Sequence, residues 1–457
     1  MTQPRNPNYC ASVIAIKNLI PLDGLDNLRA TTIFGNQVLV SKDTAIGDIG
    51  LFFPVETQLT SAFLAANNLY RHSELNNNKD VKGFFEDNGR VRCVKLRSHR
   101  SEGFFSGLNT LDFCGQYEIP VGTDFDYIGD VEICRKYEVR HLHRKDLKPQ
   151  LGKSPKKSKL VRNQFRFHLD TEQLGKNLHK FKPDDLISCS LKIHGTSAIF
   201  SKVLCNALIP HGPIVNKISS VGQVINNKLS KRQKRFVNLF AKHLRFRQQS
   251  IVRYENIFSS RKVIKNEDMG DDGGYYGDNV WAVANKIVAP LLTNGLSIYA
   301  ELVGFTPTGK PIQKGYDYGC KQEAHQPFDI YVYRVTFTNN EGIVFEFGSN
   351  QVIEWCNINN AKPVKLLYYG TVKDLIANYN IDIDKTYDKD GFETKLLETI
   401  KDNFVGGSCE TCINKVPAEG VVVRREGLMF EAYKCKSPEF LAFETKSLDS
   451  GDIGEDL

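Results

Sequence analysis

Residues 191–197 read Leu191-Lys192-Ile193-His194-Gly195-Thr196-Ser197 and follow a strand-like run over 186–190. The stretch places a lysine three residues before a glycine. A lysine amine has a pKa of roughly 10.4 and attacks electrophiles poorly until burial or neighbouring cations remove its proton. The glycine allows the backbone to approach a bound ligand closely. Because Lys-x-x-Gly occurs by chance in most long chains, this pattern alone predicts only an exposed lysine before a turn.

Three later stretches occur in an order that gives this lysine a context. They read Tyr299-Ala300-Glu301-Leu302-Val303-Gly304, Glu419-Gly420-Val421-Val422-Val423-Arg424 and Ala432-Tyr433-Lys434-Cys435-Lys436-Ser437. Lys434 and Lys436 are two residues apart on a predicted strand, so their side chains project from one face. Glu419 precedes an apolar run, and a carboxylate beside a buried strand requires a partner or an ion.

Together with Lys192, these stretches resemble the motifs of the covalent nucleotidyl transferase superfamily, which comprises DNA ligases, RNA ligases and mRNA capping enzymes. The form Lys-Ile-His-Gly-Thr-Ser is most similar to the RNA ligases, because the other two classes usually have aspartate at the position of His194. The resemblance covers about residues 165–440, and it is weaker over 10–140. One departure is Leu191, where relatives often have an acid, and this leaves the adenine contacts open.

The resemblance implies a chemical role for five residues. Lys192 would attack the α-phosphate of ATP, expel pyrophosphate and form a lysyl-AMP. Lys434 and Lys436 would neutralise charge that develops on the α-phosphate. Glu301 would accept hydrogen bonds from the ribose hydroxyls, and Glu419 would hold a Mg²⁺ (or Mn²⁺) ion, which binds few carboxylates together with phosphates and water.

The resemblance also implies further contacts with the nucleotide. Gly195 belongs to the lysine motif, and Ser260-Arg261 is similar to an auxiliary motif near the phosphates. The strand-like run 328–333 is similar to a strand that provides an aromatic ring to stack on adenine. Phe328 is the predicted ring, and Tyr331 is the alternative.

Composition describes an intracellular folded protein of several domains. The 457 residues are 41% hydrophobic and 11% aromatic, which is typical of globular chains rather than disordered ones. The sequence shows no N-terminal hydrophobic signal, and its 11 cysteines follow no disulfide pattern. We therefore expect a reducing, cytoplasmic compartment and no membrane. Cys409 and Cys412 have the spacing of half a zinc knuckle but no second pair nearby, so a loop with free thiols is expected.

The first 140 residues predict a small β-barrel. Short strands alternate with glycine-rich connections, which favours an OB-like fold over residues 1–140. A basic run precedes Phe104-Phe105. Cations track phosphates and aromatic rings stack on bases, so nucleic-acid binding is favoured over a purely structural barrel. The basic residues of this run are Lys95, Arg97, His99 and Arg100.

Two basic segments follow. Residues 141–164 contain eight lysines and arginines against one acid, and they are predicted to form a linker. Residues 228–247 contain eight more and no acid, with apolar residues at helical spacing. This predicts a basic helical insertion near 225–250 within a domain over 165–457. Such charges commonly serve only solubility, but they also suit contact with phosphates.

The predicted fold is α+β: an N-terminal OB-like β-barrel, then a nucleotidyl-transferase domain of the ligase type with antiparallel sheets, similar to ATP-grasp folds. The predicted function is an ATP-dependent RNA ligase that joins 3′-OH and 5′-phosphate RNA ends at nicks in duplexes, as in RNA repair. Alternatives are a DNA ligase, a GTP-using capping enzyme, and an inactive RNA-binding adaptor. The segment after Lys436 is too short for the OB domain that usually follows this motif in DNA ligases and capping enzymes. The expected partners are ATP and RNA, and the chain is expected to be a monomer.

Overall fold

The computed structural model describes residues 4–138, 160–208, 250–265, 279–379 and 389–450. Most of the predicted basic linker over 141–164, and nearly all of the predicted helical insertion near 225–250, lie outside the described residues. Within the described ranges the chain is a mixed α/β protein with several antiparallel sheets. None of the helices in these ranges is long and apolar enough to cross a membrane.

Residues 4–138 form short antiparallel strands, as the alternating apolar pattern predicts. The largest sheet has the order β10-β1-β5-β9, and a second sheet has the order β2-β3-β4. Helix α1 (Ser61–Ala66) covers one side, and its buried Phe63 packs against Phe53. The strands are β1 Ala11–Ala15, β2 Ile20–Pro21, β3 Leu28–Ile33, β4 Asn36–Ser41, β5 Ile49–Pro54, β6 Thr57–Leu59, β7 Val94–Leu96, β8 His99–Ser101, β9 Gly103–Gly107, β10 Asp124–Phe125, β11 Tyr127–Ile128, β12 Val131–Glu132 and β13 Cys134–Lys136.

These strands do not hydrogen-bond into one closed barrel within residues 4–138. Strand β4 meets the chain at β8 and β9 mainly through side chains: Leu39 N donates to Ser101 Oγ (3.0 Å), and Gln37 Nε2 donates to the Arg100 carbonyl (2.8 Å). The OB-like barrel therefore stays a prediction. Strand β7 begins only at Val94, and the amide of the preceding Cys93 donates to Thr445 Oγ1 (3.1 Å).

Phe104 and Phe105, predicted to stack on bases, are both half-buried against apolar clusters, and their base-stacking role stays a prediction. The Phe104 ring is stacked on Phe53 inside the N-terminal core, and Phe105 packs on a second apolar cluster. Of the adjacent basic residues, Arg100 is engaged in an ion pair with Glu439 (2.6 Å). Lys95 remains exposed on the β7–β8 hairpin.

The described residues between 160 and 450 form two sheets with helices packed against them. A five-stranded sheet has the order β14-β25-β24-β15-β23, and a larger one has the order β18-β17-β16-β19-β20-β21 with β22 beside β20. The strands are β14 Glu172–Gln173, β15 Leu186–Leu191, β16 Thr196–Leu208, β17 Ser250–Ser259, β18 Ile264–Lys265, β19 Leu296–Gly304, β20 Phe328–Thr338, β21 Val344–Glu346, β22 Lys362–Pro363, β23 Leu366–Thr371, β24 Gly420–Arg425 and β25 Glu431–Lys436. The helices are α2 Val280–Val288, α3 Ser349–Ile358, α4 Val372–Tyr379, α5 Lys389–Phe404 and α6 Pro438–Asp449.

Each sheet buries one face under helices. The larger sheet packs Phe200 and Ile298 against Trp281 of α2 and Val352 of α3. On the five-stranded sheet, alternate residues of β15 and β24 pack with Leu396 of α5. Because side chains alternate along a strand, the remaining residues of β15 and β24 point to the opposite face. That face opens on a cavity where the two sheets meet.

Candidate active site

The lysine motif connects the two sheets. Strand β15 ends at Leu191, residues 192–195 cross over, and β16 begins at Thr196. The Lys192 amide donates to the carbonyl of Gly420 in β24 (2.9 Å), and the His194 amide donates to the hydroxyl of Tyr318 (2.7 Å). The backbone of the crossover is thus held from both sides, and the Lys192 side chain enters the cavity.

Lys192 is paired with a buried carboxylate. Its Nζ lies 2.8 Å from Oε1 of Glu419, whose side chain is 4% exposed. Burial alone would raise the pKa of Glu419, but the positive charges of Lys192 and Lys436 hold that pKa below its usual value. The second oxygen, Oε2, is buried without a hydrogen-bond partner and lies 3.7 Å from Nδ1 of His194. Glu419 is therefore an ionised carboxylate with one unused oxygen beside the candidate nucleophile.

Gly195 lines the cavity, and its lack of a side chain has a clear structural cause. A Cβ at this position would lie 2.4 Å from the carbonyl oxygen of Leu302 and 2.9 Å from Cγ1 of Val303. The glycine therefore permits close contact with β19, the strand that carries Glu301. The sequence pattern, in contrast, predicts that this glycine lets a ligand approach the backbone closely.

Glu301 faces the cavity from the larger sheet. It lies directly opposite Ser197 in the pairing of β16 with β19, so both side chains project from the same face. Both residues line the cavity together with Tyr333 of β20. The negative charge of Glu301 also acts on Arg261.

Lys434 and Lys436 both enter the cavity from β25, as their spacing predicts. Burial, together with the charges of Lys436 and Lys192, lowers the pKa of Lys434 to about 7. For Lys436, burial acts in the same direction, but the carboxylate of Glu444 outweighs it and raises the pKa of Lys436. The two neighbouring lysines therefore differ in charge state near neutral pH.

Arg261 follows β17 and completes the cationic side of the cavity. Its guanidinium is paired with Asp170, and its Nε is buried without a hydrogen-bond partner. Burial would raise the pKa of Asp170, but the charges of Arg261 and Lys434 hold it below its usual value. Four of the predicted cations, Lys192, Lys434, Lys436 and Arg261, thus meet in one cavity.

Phe328 does not reach this cavity. Its side chain is 2% exposed and belongs to the apolar core under the larger sheet, beside Val332. Tyr331 is not among the residues that line the cavity either; it packs near Tyr318. The aromatic residue of β20 that lines the cavity is Tyr333.

Tyr333 forms an aromatic wall with two rings from other parts of the chain. The His168 ring lies 5.1 Å from Tyr333 and 5.8 Å from Phe430. Burial, with the charge of Arg334, lowers the pKa of His168 to about 3, so this imidazole is neutral. The wall consists of three uncharged rings, which suits a flat heterocycle.

Arg424 is a further polar residue of the cavity. The side chain is 6% exposed, and none of its three guanidinium nitrogens has a hydrogen-bond partner. Its Nε lies 3.7 Å from Glu426, and the guanidinium lies 5.3 Å from the centre of the Phe430 ring. A buried guanidinium without hydrogen bonds is costly, which makes Arg424 a candidate donor to a bound ligand. The sequence contains a signal for the position of Arg424, because Val422 and Arg424 alternate with the buried Val421 and Val423.

The N-terminal residues also reach the cavity. Tyr9 and Lys136 both line it, and the Lys434 ammonium lies 5.8 Å from the centre of the Tyr9 ring. These contacts join segments far apart in the chain. No sequence pattern connects them to the lysine motifs.

The donor set suits a single divalent cation held partly by a ligand. Mg²⁺ prefers carboxylate oxygens, phosphates and retained waters. The unused Oε2 of Glu419 is such an oxygen, and it lies beside Lys192. Among the described residues there is no cluster of three histidines, cysteines or acids that could hold a metal alone.

Solved structures share this fold. An RNA ligase mutant from Naegleria gruberi with AMP and manganese matches at 13% identity and a TM-score of 0.51, covering 94% of this chain and 97% of that one. A second mutant of the same ligase, with ATP and manganese, matches at 13% identity and a TM-score of 0.52, covering 97% and 99%. A third mutant without ligand matches at 11% identity and a TM-score of 0.52, covering 95% and 98%. At these identities the likeness shows a shared fold along nearly the whole chain.

Comparisons of the sequence itself find no relative. No protein-family profile matches this chain. No curated protein matches it either.

Proposed function

We propose that this chain is an ATP-dependent RNA ligase that joins 3′-OH and 5′-phosphate RNA ends, at nicks in duplexes, through a lysyl-AMP intermediate. The observation that supports it most is the pairing of Lys192 with the buried Glu419 at 2.8 Å, in a cavity that also contains Lys434, Lys436 and Arg261. The fold shared with an RNA ligase whose structures hold ATP or AMP with manganese supports the same function.

The first proposed step is the transfer of AMP from ATP to Lys192. The amine of Lys192 attacks the α-phosphorus of ATP, a P–N bond forms, and the bond to the pyrophosphate oxygen breaks. Lys192 must leave Glu419 and lose a proton before it attacks. Lys436, Lys434 and Arg261 neutralise the charge that grows on the phosphate oxygens. A Mg²⁺ or Mn²⁺ ion held by Glu419 would add positive charge at the same phosphate.

The nucleoside is proposed to bind the remaining residues of the cavity. Glu301 accepts hydrogen bonds from the ribose hydroxyls. The base lies against the wall of Tyr333, His168 and Phe430, and Arg424 donates to an acceptor on its edge. Tyr333 thus replaces Phe328 as the stacking residue in the proposal.

The later steps concern the polynucleotide. The AMP passes to an RNA 5′-phosphate, and a neighbouring 3′-hydroxyl displaces it to seal the strand. The basic segments over 141–164 and 225–250, and an OB-like unit over 1–140, are proposed to bind the RNA backbone in a cytoplasmic, monomeric enzyme. Affinity for a nicked RNA duplex should then fall steeply as salt rises, and a flat response would remove these segments from the proposal.

The test is labelling with ATP carrying a radioactive α-phosphate, and separately with GTP, in Mg²⁺, followed by denaturing electrophoresis. Wild type and a Lys182→Ala control, altered at an exposed loop lysine, should take label from ATP, whereas Lys192→Ala should not. Label from GTP would indicate a capping enzyme. No label in wild type, after removal of bound AMP, would favour an inactive RNA-binding adaptor. Sealing of nicked RNA and nicked DNA then separates RNA ligase from DNA ligase.

A further inference from the structure

Helix α6 (Pro438–Asp449) follows Lys436 after a single residue, Ser437, which is hydrogen-bonded to the active site. Ser437 caps the helix by accepting a hydrogen bond from the Phe440 amide (3.1 Å). Its hydroxyl donates to the carbonyl of Ala418 (2.6 Å), and its amide donates to the carbonyl of Glu419 (2.9 Å). The start of α6 is therefore fixed against the residue that pairs with Lys192.

Two turns into the helix, Glu444 reaches back to the lysine that precedes it. Both carboxylate oxygens lie 2.7 Å from Nζ of Lys436, and the two side chains are only 16% and 17% exposed. The same ammonium lies 5.1 Å from the centre of the Phe440 ring. Glu444 lines the cavity, so the ion pair is part of the cavity wall. Lys434, two residues earlier, has no comparable ion pair among the described residues.

The opposite side of α6 is anchored on residues 4–138. Glu439 pairs with Arg100 at 2.6 Å, and Thr445 Oγ1 accepts the amide of Cys93 at 3.1 Å. These anchors lie on either side of Glu444 along the helix. The position of the Glu444 carboxylate is therefore set by contacts outside the cavity.

We infer that Glu444 is a positioning residue, which holds the Lys436 ammonium at the place where the α-phosphate of a nucleotide arrives. The inference rests on the proposed ligase function. An ammonium has three N–H donors, so Lys436 can keep its contact with Glu444 and still donate to a phosphate oxygen. A carboxylate repels phosphate, so Glu444 acts through Lys436 rather than on the nucleotide.

Without Glu444, cations would outnumber carboxylates around Lys436, although Glu419 would still attract it. Lys192, Lys434 and Arg261 enter the same cavity. Their repulsion would turn the Lys436 side chain away or displace its proton. The cavity would then keep the lysine but lose its effect on the transition state.

The test is a double-mutant cycle in single-turnover formation of lysyl-AMP at saturating ATP. Glu444→Gln and Lys436→Met should each slow the step about 100-fold, which is typical for loss of one transition-state contact. The double variant should be no slower than the slower single variant, because both changes remove the same contact. Glu444→Asp should restore part of the rate. Glu354→Gln, which loses an exposed carboxylate on α3 outside the cavity, should stay within about twofold of wild type.

Multiplicative losses in the double variant would overturn the inference, because they would mean that Glu444 acts independently of Lys436. A wild-type rate for Glu444→Gln would overturn it as well. Melting temperatures are measured in parallel, and if Glu444→Gln does not fold, the same cycle is run with Glu444→Asp. If wild type takes no label at all, the proposed function fails; if wild type takes label and the losses multiply, only the role of Glu444 fails.

Discussion

Replacing Lys192 with methionine should destabilise the protein in a pH-dependent way, apart from any effect on activity. The change leaves the carboxylate of Glu419, 4% exposed, without the ammonium 2.8 Å away. Breaking a buried ion pair costs about 3–5 kcal/mol. Lys192 itself is 23% exposed, and Lys436 still acts on Glu419, so we expect about 2 kcal/mol.

The pH dependence follows from the protonation of Glu419. In wild type its pKa lies below its ordinary value, so the pair stabilises the fold above about pH 4.3 and is lost as pH falls through the lower folded pKa. In Lys192→Met, burial dominates and raises the pKa of Glu419 above that of the unfolded chain. The folded variant then takes up a proton as pH falls, and the difference from wild type shrinks. It should be full at pH 8 and clearly smaller at pH 5.

The assay is thermal unfolding in metal-free buffer with EDTA at pH 8 and pH 5. A loss of about 2 kcal/mol corresponds to a fall in melting temperature of about 3 °C for a unit the size of the predicted domain over 165–457. Glu419→Gln in the Lys192→Met background should recover most of it, and the exposed control Lys182→Met should show no change. An equal deficit at both pH values, or a double variant less stable than Lys192→Met, would refute the reasoning.

Four further outcomes are expected. Phe328→Leu should lower stability by about 1 kcal/mol and leave the KM for ATP unchanged, because the ring lies in the core. Tyr333→Leu should raise that KM several-fold with little change in melting temperature, and equal KM effects of the two variants in labelling kinetics would contradict the assignment. Gly195→Ala should abolish label uptake, since its Cβ would lie 2.4 Å from a carbonyl oxygen of β19; wild-type labelling would contradict this. Cys409 should be the described cysteine that iodoacetamide alkylates first at pH 7 in peptide mass mapping, because a hydrogen bond from Cys412 lowers the pKa of Cys409 to about 6, whereas burial raises the pKa of buried thiols such as Cys189.

Local patterns were sufficient to predict the charged part of the site. Lys434 and Lys436 are two apart on a strand, and alternation alone places both on one face of β25. The same alternation in β24 separates the buried Val421 and Val423 from the cavity-lining Arg424. The two-residue alternation of side chains along a strand therefore indicates a cavity residue, Arg424, to which the family resemblance gave no role.

The aromatic residue of β20 that faces the cavity could not be predicted in this way. Phe328 and Tyr333 lie on one strand, and their positions follow from how β20 pairs with β19. That pairing shifts register between Tyr299 and Ala300, a bulge that no local pattern of this sequence reveals. Which ring faces the cavity therefore depends on the partner strand.

Contacts between distant segments were likewise beyond sequence reasoning. Tyr9 reaches the cavity from the segment just before β1, and Glu444 reaches it from α6, the helix that follows Lys436. Each depends on how separate units dock, and a single sequence has no periodicity that records docking. The basic segments near 141–164 and 225–250 lie outside the described residues, so their predicted role stays a prediction.

The crossover at residues 192–195 divides the nucleotide contacts between two sheets. Lys192, Lys434 and Lys436 are attached to the five-stranded sheet, whereas Glu301 and Tyr333 belong to the larger one. In the proposed complex the nucleotide would therefore contact both sheets across the seam between them, with the three lysines of one sheet at its phosphates and Glu301 and Tyr333 of the other at its sugar and base. Once AMP is bonded to Lys192, it would connect the two sheets across that seam. A rotation of one sheet relative to the other would then strain the P–N bond that must break when AMP passes to the RNA end.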